Sequence, residues 1–457
     1  MNDINSLISY NRSLPLGAIY DDQSVFLHMH HYFDDFLTIS DVSGSWLSDL
    51  DLLDKNVEMQ VDRTIQDENV KIASSKEFAD FAKEQGRRKY VLYGPLAPPY
   101  VVNPLIYIMN SPTIAHAYEH KRYFRDEFAE LINMPEHVVR RLDELNDDMF
   151  NELQTLFDKF VIQDVESSGS KGTFIISTIE QYQRAVQTLK ATSYSGSVVV
   201  SEFINGTPCS VQVCVTKYGV FTGGLQRQLV DSPYLCNLDL PGVTRWCGGE
   251  LGGDAPEIVK HRMQEIATVV GSELSSHGYR GIFGIDLLIT PENEVYAIEI
   301  NARLTGYTHI LSDMQYANGR IPFALLHTLE LGNYKYEVDD FDALPTMDST
   351  PEPYSYLILN NQLDGSFVLD TEVKNGVYQY HQDGTISYVK ASFSVVDLEN
   401  DDQFIVYCKF RKGDEVERGK RLLKIVKKGR SMTPEGDLDE AHQMFVQNLK
   451  KHFNIGF

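Results

Sequence analysis

The chain has 457 residues, with 41 Lys and Arg against 65 Asp and Glu, a formal net charge of −24. A field of that sign opposes non-specific binding to nucleic acid or to an anionic membrane surface. At 42% hydrophobic and 23% charged residues, the composition is that of a globular protein, long enough for about three domains with large cores.

No apolar run approaches the roughly 20 residues of a membrane span. The opening MNDINSLISYNRS lacks a basic-then-apolar leader pattern. Cys209, Cys214, Cys236, Cys247 and Cys408 are odd in number and form no CxxC pair, so they read as reduced, mostly buried thiols. These features together predict a cytoplasmic protein with no nucleic-acid or membrane partner.

The first 110 residues carry weak signals. Residues 24–30 and 90–93 read as short strands, and residues 75–85 as a helix with Phe78, Phe81 and Ala82 on one face. A strand would put His28 and His30 on one face, beside His31, Asp34 and Asp35. A metal site there needs a third ligand from elsewhere, and ordinary strand residues are the favoured reading. No glycine-rich nucleotide signature is present.

From Ser111-Pro112 a helical stretch leads to His120-Lys121-Arg122-Tyr123-Phe124. Residues 160–176 form two apolar runs around Ser167-Ser168-Gly169-Ser170-Lys171-Gly172-Thr173. Small residues let backbone N–H groups close on phosphate oxygens, and Lys171 adds a point charge. A mobile turn would have the same composition. Residues 197–215 read as two strands broken at Asn205-Gly206-Thr207-Pro208, which by itself suits an ordinary hairpin.

Residues 244–253, with four glycines around Arg245 and Trp246, suit either a loop that closes over something or a disordered connection. A helix over 257–277 follows, with Asp254 as its cap, Pro256 in the first turn and Glu257 completing a capping box. Its expected core face is Ile258, Met263, Ile266, Ala267, Val270 and Leu274.

Residues 282–308 are the most informative stretch. Two alternating strands flank the turn Pro291-Glu292-Asn293, and carboxylates replace core residues at Asp286 and Glu299. Glu299 and Asn301 share a strand face because the side-chain period is two, and Asp286 can meet them across the register. Three oxygen-bearing side chains on a rigid sheet suit Mg²⁺, which takes hard ligands and completes its shell with phosphate and water. Arg303 follows on the same parity. A solvated hairpin that happens to carry acids is the plain alternative.

Residues 337–353 are acidic and contain proline, as in a linker. From 354 to 426 short alternating runs return, with turns at Asp383-Gly384 and Lys412-Gly413-Asp414. A last helix is expected from Thr433-Pro434-Glu435, with Leu438, Ala441, Phe445 and Leu449 as its packing stripe.

Gly-Ile-Asp286, an acidic turn and Glu299-Ile-Asn301-x-Arg303-x-x-Gly306 resemble, in order and spacing, the metal-binding hairpin of the ATP-grasp ligases. Glu202-Phe203-Ile204 matches the family's tripeptide that links two subdomains and sets its backbone on the adenine. The resemblance covers about residues 111–331 and implies a mixed α/β and α+β protein. Its ATP-grasp domain would have two α+β subdomains (111–200 and 201–331), between a small α/β domain (1–110) and a small antiparallel C-terminal domain (332–457). It implies ATP and Mg²⁺ as cofactors, with Asp286, Glu299 and Asn301 on the metal. Lys121, Gln163, Ser168, Gly169, Ser170 and Lys171 would lie on the phosphates, Glu202, Phe203 and Ile204 on the base, and Arg303 on the phosphoryl group in transfer.

The implied reaction joins a small-molecule carboxylate to an amine through an acyl phosphate, and the family leaves room for a homodimer. Two positions depart from the pattern. Gln163 stands where the family commonly has Lys, and Pro208-Cys209-Ser210 lacks an acidic residue near the ribose. Biotin carboxylases fit poorly, since their base falls here on Tyr307. Asn-x-Arg-x-x-Gly is nearer the amino-acid and dipeptide ligases. A nucleotide-binding relative without turnover, or an enzyme with another acceptor, remains the competing expectation.

Overall fold

The computed structural model describes residues 4–14, five short strands between 16 and 108, and residues 110–455 apart from 168–171, 194, 239–244, 393 and 409. The expected strand over 24–30, the helix over 75–85, and His28, His30, His31, Asp34 and Asp35 lie outside the described residues.

Helix α1 (Ile4–Ser13) precedes five strands, β1 (Leu16–Tyr20), β2 (Phe36–Ser40), β3 (Asn56–Gln60), β4 (Lys89–Tyr93) and β5 (Tyr107–Ile108). They form one parallel sheet in the order β3-β2-β1-β4-β5. The connections between these strands lie outside the described residues. The expected strand over 90–93 lies within β4.

Two short helices follow, α2 (Pro112–Glu119) and α3 (Lys121–Phe128). The chain turns between them at His120, whose ring Nδ1 accepts the Tyr123 N–H at 3.3 Å. A four-stranded sheet then forms from β6 (His137–Arg141), β7 (Phe160–Asp164), β8 (Thr173–Ile176) and β9 (Ser197–Glu202), in the order β6-β9-β7-β8. Helices α4 (Asp147–Leu156) and α5 (Ile179–Thr192) cover its apolar face, where Ile162, Val198 and Val200 meet Leu153, Tyr182 and Leu189. The inward residues of β7 and β9 alternate as a half-covered sheet demands.

The chain then changes sheet. β9 pairs with β6 and β7, whereas β10 (Thr207–Thr216) pairs with β11 (Gly219–Val230) and β13 (Gly281–Ile289). The hairpin reading of 197–215 is thereby replaced: Glu202-Phe203-Ile204 is the link between two sheets.

The second sheet has ten strands. β12 (Trp246–Leu251), β14 (Val295–Asn301) and the later strands β15 (Tyr354–Asn360), β17 (Gly376–Tyr380), β18 (Ile386–Lys390), β19 (Gln403–Cys408) and β21 (Arg421–Lys428) complete it. The strands after residue 350 are antiparallel, as expected, and continue the same sheet through β12–β15 pairing. β16 (Phe367–Val368) and β20 (Glu415–Val416) form a separate small ladder.

Residues 246–251, read from sequence as a covering loop or a disordered link, are thus a strand at the middle of this sheet. Gly248 and Gly249 carry positive φ, and a Cβ would lie 1.8 Å from Tyr356 O at Gly248 and 1.9 Å from Arg227 O at Gly249. The glycines allow backbones to close on each other rather than on a ligand.

Helix α6 (Glu257–Ser276) packs on one face of this sheet, and α7 (Thr308–Ala317) and α8 (Phe323–Leu331) on the other. Two sequence expectations for α6 are corrected. Pro256 occupies the N-cap position and no side chain caps the helix, so Asp254 does not. Ile258 is 48% exposed while Val259 is buried, because the core stripe begins one residue later. Helix α1 joins the α7–α8 core through Leu7, Ile8 and Leu14.

The last helix, α9 (Glu440–Phe453), starts later than expected, with the Asp439 side chain accepting the His442 N–H at 2.8 Å. Thr433-Pro434-Glu435 instead lies in a turn closed by the Met432–Leu438 bridge. Leu438, Phe445 and Leu449 are buried, and Ala441 is exposed.

Candidate active site

The hairpin β13–β14 sets the geometry. Asp286 stands directly opposite Glu299, and Gly284 opposite Asn301. The register slips by one residue beyond Asp286, and such a bulge reverses the faces of everything after it. Val295 and Ala297 therefore point into the α6 core together with Ile285, Leu287 and Ile300. Glu299 and Asn301 emerge on the opposite face. Without the bulge, Glu299 would follow Val295 and Ala297 into an apolar interior.

Asp286 accepts hydrogen bonds from Asn301 Nδ2 at 3.1 Å and from Gln228 Nε2 at 3.1 Å. Burial pushes its carboxyl up to about 7, and the neighbouring Glu299 carboxylate adds to the rise. Two half-buried acids held face to face repel each other when both are ionised, which favours a cation beside them. Oxygen donors from Asp286, Glu299 and Asn301 fit a hard divalent cation between them.

Three cations of this chain approach the pair. Lys121, the first residue of α3, sits with Nζ 3.4 Å from Glu299 Oε2 and donates to Ser167 O at 2.5 Å. It thus ties the metal hairpin to the start of the Ser/Gly loop. Arg125, one helical turn on, is 1% exposed, and its Nε and Nη1 find no hydrogen-bond partner among the described residues. Burial pulls its guanidinium down to about 10, and Glu299 works against that fall. Arg303 lies with Nε 3.3 Å from Glu119 Oε1, an ion pair without hydrogen-bond geometry. Burial raises the Glu119 carboxyl above the usual range, and Arg303 opposes the rise.

The face beyond Asp286 is polar. Ser210 pairs with Asp286 across β10–β13 and with Gln226 across β10–β11. Its hydroxyl donates to Gln226 Oε1 at 2.8 Å and shares a proton contact with the Tyr307 hydroxyl. Gln212 Nε2 donates to Thr305 Oγ1 at 2.8 Å. Tyr307 packs against Trp246, with ring centroids 6.3 Å apart.

Of the residues singled out in the sequence, Lys121, Asp286, Glu299 and Asn301 come together. Arg303 joins them through Glu119. Gln163 lies apart on β7, buried, with Nε2 3.5 Å from Thr173 Oγ1. Ser168, Gly169, Ser170 and Lys171 lie outside the described residues. Glu202 accepts the Glu136 N–H at 2.9 Å, and Phe203 lies under Lys159 Nζ at 3.5 Å.

Sequence reading missed Gln228, Glu119 and Arg125. Gln226 and Gln228 were visible as a period-two polar pair within an apolar strand. Arg125 was visible as the residue four after Lys121, hence on the same helical face. Glu119 carried no signal of its own.

Two sheets carry the site, with opposed acids at the edge of the larger one and a helix-borne lysine between them and Ser167. The family comparison is more specific: residues 118–307 match the model of the ATP-grasp domain. Solved structures agree on the fold. L-amino acid ligase from Bacillus licheniformis is 12% identical with a TM-score of 0.60, covering 95% of this chain and 97% of that one. Phosphoribosylamine–glycine ligase from Thermotoga maritima is 14% identical with a TM-score of 0.56, over 95% and 96%. The biotin carboxylase domain of Hydrogenobacter thermophilus 2-oxoglutarate carboxylase, solved with MgADP and bicarbonate, is 11% identical with a TM-score of 0.57, over 91% and 86%. No curated protein matches the chain in sequence.

Proposed function

We propose that this protein is an ATP-dependent ligase that joins a carboxylate to an amine through an acyl phosphate, releasing ADP and phosphate. The observation that carries the reading is the facing pair Asp286–Glu299, completed by Asn301 and flanked by Lys121 and Arg303, inside an ATP-grasp domain. Asp286, Glu299 and Asn301 would hold Mg²⁺, which when bound spreads the charge of a transferring phosphoryl group.

Lys121 would hold phosphate oxygens, joined by Lys171 and the backbone of Ser168, Gly169 and Ser170. Gln163 offers that region a hydrogen bond without charge. Of the linking tripeptide, the N–H groups of Glu202 and Phe203 are bound to Glu136 O and Lys159 O, leaving that of Ile204 for the adenine. Arg303 would leave Glu119 to grip the phosphoryl group as it moves. The uncharged Gln163 is the one feature favouring a nucleotide-binding relative without turnover.

The test is ADP release screened over pools of carboxylates and amines, followed by product mass. A dehydrated carboxylate–amine adduct with one ADP per product is the expected result. Saturable ATP binding with no ADP release from any pool would favour the non-catalytic relative. Glu299→Gln removes one charge at nearly constant volume and should cut turnover by orders of magnitude while the fold persists. Turnover near the native level in that variant would remove Glu299 from the metal shell.

A further inference from the structure

Asp286 is anchored from two sides by uncharged donors. Asn301 Nδ2 donates to its Oδ2 at 3.1 Å, and Gln228 Nε2 donates to its Oδ1 at 3.1 Å. With one donor on each oxygen the plane of the carboxylate is fixed, and each oxygen keeps a lone pair for a further partner. The Asn301 bond arises within the β13–β14 hairpin. The Gln228 bond comes from β11, on the far side of β10.

That reach follows from the sheet. Ser210 of β10 stands opposite Gln226 on one side and Asp286 on the other. Gln228 is two residues beyond Gln226, hence on the same sheet face. Neighbouring strands are about 4.8 Å apart, so a side chain from β11 must cross β10 to meet Asp286, and glutamine has one methylene more than asparagine with which to span it. Gln228 passes over the backbone of β10, where its Nε2 is also 3.5 Å from Cys209 O. Both neighbours are acceptors, so the amide turns its NH₂ toward them; the flipped amide would set oxygen against oxygen.

The two opposed acids are held differently. Glu299 has an ammonium beside it, Lys121 Nζ at 3.4 Å. Among the described residues no Lys, Arg or His pairs with Asp286, since Lys121 lies on Glu299 and Arg303 on Glu119. An amide orients a carboxylate without neutralising it, which keeps the Asp286 charge for a divalent cation.

We propose that Gln228 is a positioning residue of the metal site: it holds the Asp286 carboxylate in place opposite Glu299 and thereby sets the affinity of the site for a divalent cation. The inference rests on the proposed role of Asp286, Glu299 and Asn301 as ligands. Gln228 itself touches neither cation nor substrate and acts through Asp286. Loss of such a supporting hydrogen bond costs about 10- to 100-fold in metal affinity.

The experiment is Mn²⁺ binding by the full chain, with free Mn²⁺ read by electron paramagnetic resonance, alongside thermal unfolding with and without Mn²⁺. Gln228→Met removes the donor at similar length, and Gln228→Asn keeps the amide one methylene short. Each should weaken Mn²⁺ binding about 10- to 100-fold and shrink the rise in melting temperature that Mn²⁺ produces. Asp286→Asn, which alters the ligand itself, should bind Mn²⁺ more weakly than either. Native Mn²⁺ affinity in either Gln228 variant, while Asp286→Asn has lost it, would overturn the role of Gln228 and leave the metal site standing; a fall in melting temperature in that case would mark Gln228 as a tie of the sheet alone. Native affinity in Asp286→Asn, or no saturable Mn²⁺ binding by the native chain, would overturn the metal site and this inference with it.

Discussion

Arg303 and Glu119 lie 3.3 Å apart with poorly directed geometry, so little holds the guanidinium there. A planar fork that grips phosphate only during transfer cannot be replaced by the point charge of lysine. Arg303→Lys should depress turnover about a hundredfold or more, corresponding to about 2.7–4 kcal/mol by analogy with other transition-state donors. ATP affinity, read by calorimetry on the same variant, should change far less. Equal losses in both would make Arg303 a general nucleotide anchor.

Two titrating groups, His327 buried and Asp286 half-buried, give opposite pH signatures. His327 accepts the Ile282 N–H on Nδ1 at 3.0 Å, and burial pulls it down to about 3. The folded state therefore binds fewer protons there than the unfolded state, and this stabilisation, complete above the unfolded pKa near ~6.5, is lost as pH falls toward about 3. Asp286 is raised to about 7, so the folded state holds its proton longer and pays for ionisation as pH climbs from ~4 toward 7. Thermal unfolding of the metal-free protein across this range should show both slopes. Asp286→Asn should remove the loss on the alkaline side while leaving the acid-side loss from His327. Persistence of the alkaline-side loss in that variant would assign it to another group.

At the scale of elements, Glu250 on β12 fastens the C-terminal segment to the sheet. It is 1% exposed, accepts the backbone N–H groups of Ser431 and Met432 at 2.7 and 2.6 Å, and lies 3.3 Å from both Arg227 and Arg430. Glu250→Ala would leave two buried N–H groups without an acceptor, while Arg227 keeps Thr433 O and Pro434 O and Arg430 turns to solvent. Removal of one partner from a buried pair costs about 3–5 kcal/mol, and denaturant unfolding should register a loss near the lower end because Arg430 reaches solvent. A change below about 1 kcal/mol would mean that water or Arg rearrangement satisfies these groups.

At the scale of the whole molecule, the strands after residue 350 are structural partners of the strands before residue 302. β12 pairs with β15 through Gly248–Leu357 and Gly249–Tyr356, and Tyr356, Ile358 and Val426 lie in the same core as α7 and α8. A chain ending at residue 331 would expose the β12 edge and strip that core. It should lack a cooperative thermal transition, as followed by calorimetry. A cooperative transition in the shortened chain would show that the sheet divides at β12–β15.

How much of this was legible before the fold differs by the range of the interactions involved. The acids of the hairpin, the turn at Asn293, the β7–β8 pair and the body of α6 rest on local periodicity and turn chemistry, which one segment carries by itself. The direct opposition of Asp286 and Glu299 depended on register, and the phase change between Ala297 and Glu299 was already written in the strand. Sequence reading placed a cap at Asp254, began the last helix at 433 and left 244–253 as a loop or disordered link. There, partners far along the chain decide the outcome: Tyr356 O and Arg227 O for the glycines, and Leu438 for the bridge that delays α9.

The roles of Glu119, Arg125 and Gln228 follow the same rule, although the spacing of Arg125 and Gln228 was visible in the sequence. Each matters through a residue distant in sequence, Arg303, Glu299 or Asp286, and only the packing of helices α2 and α3 and strand β11 against the hairpin brings those charges into one place. By itself the sequence determined which side chains could do chemistry and the local strands that carry them. Tertiary structure alone decided which charges meet, because long-range pairing, burial and the loss of water set the strength of every contact in the site.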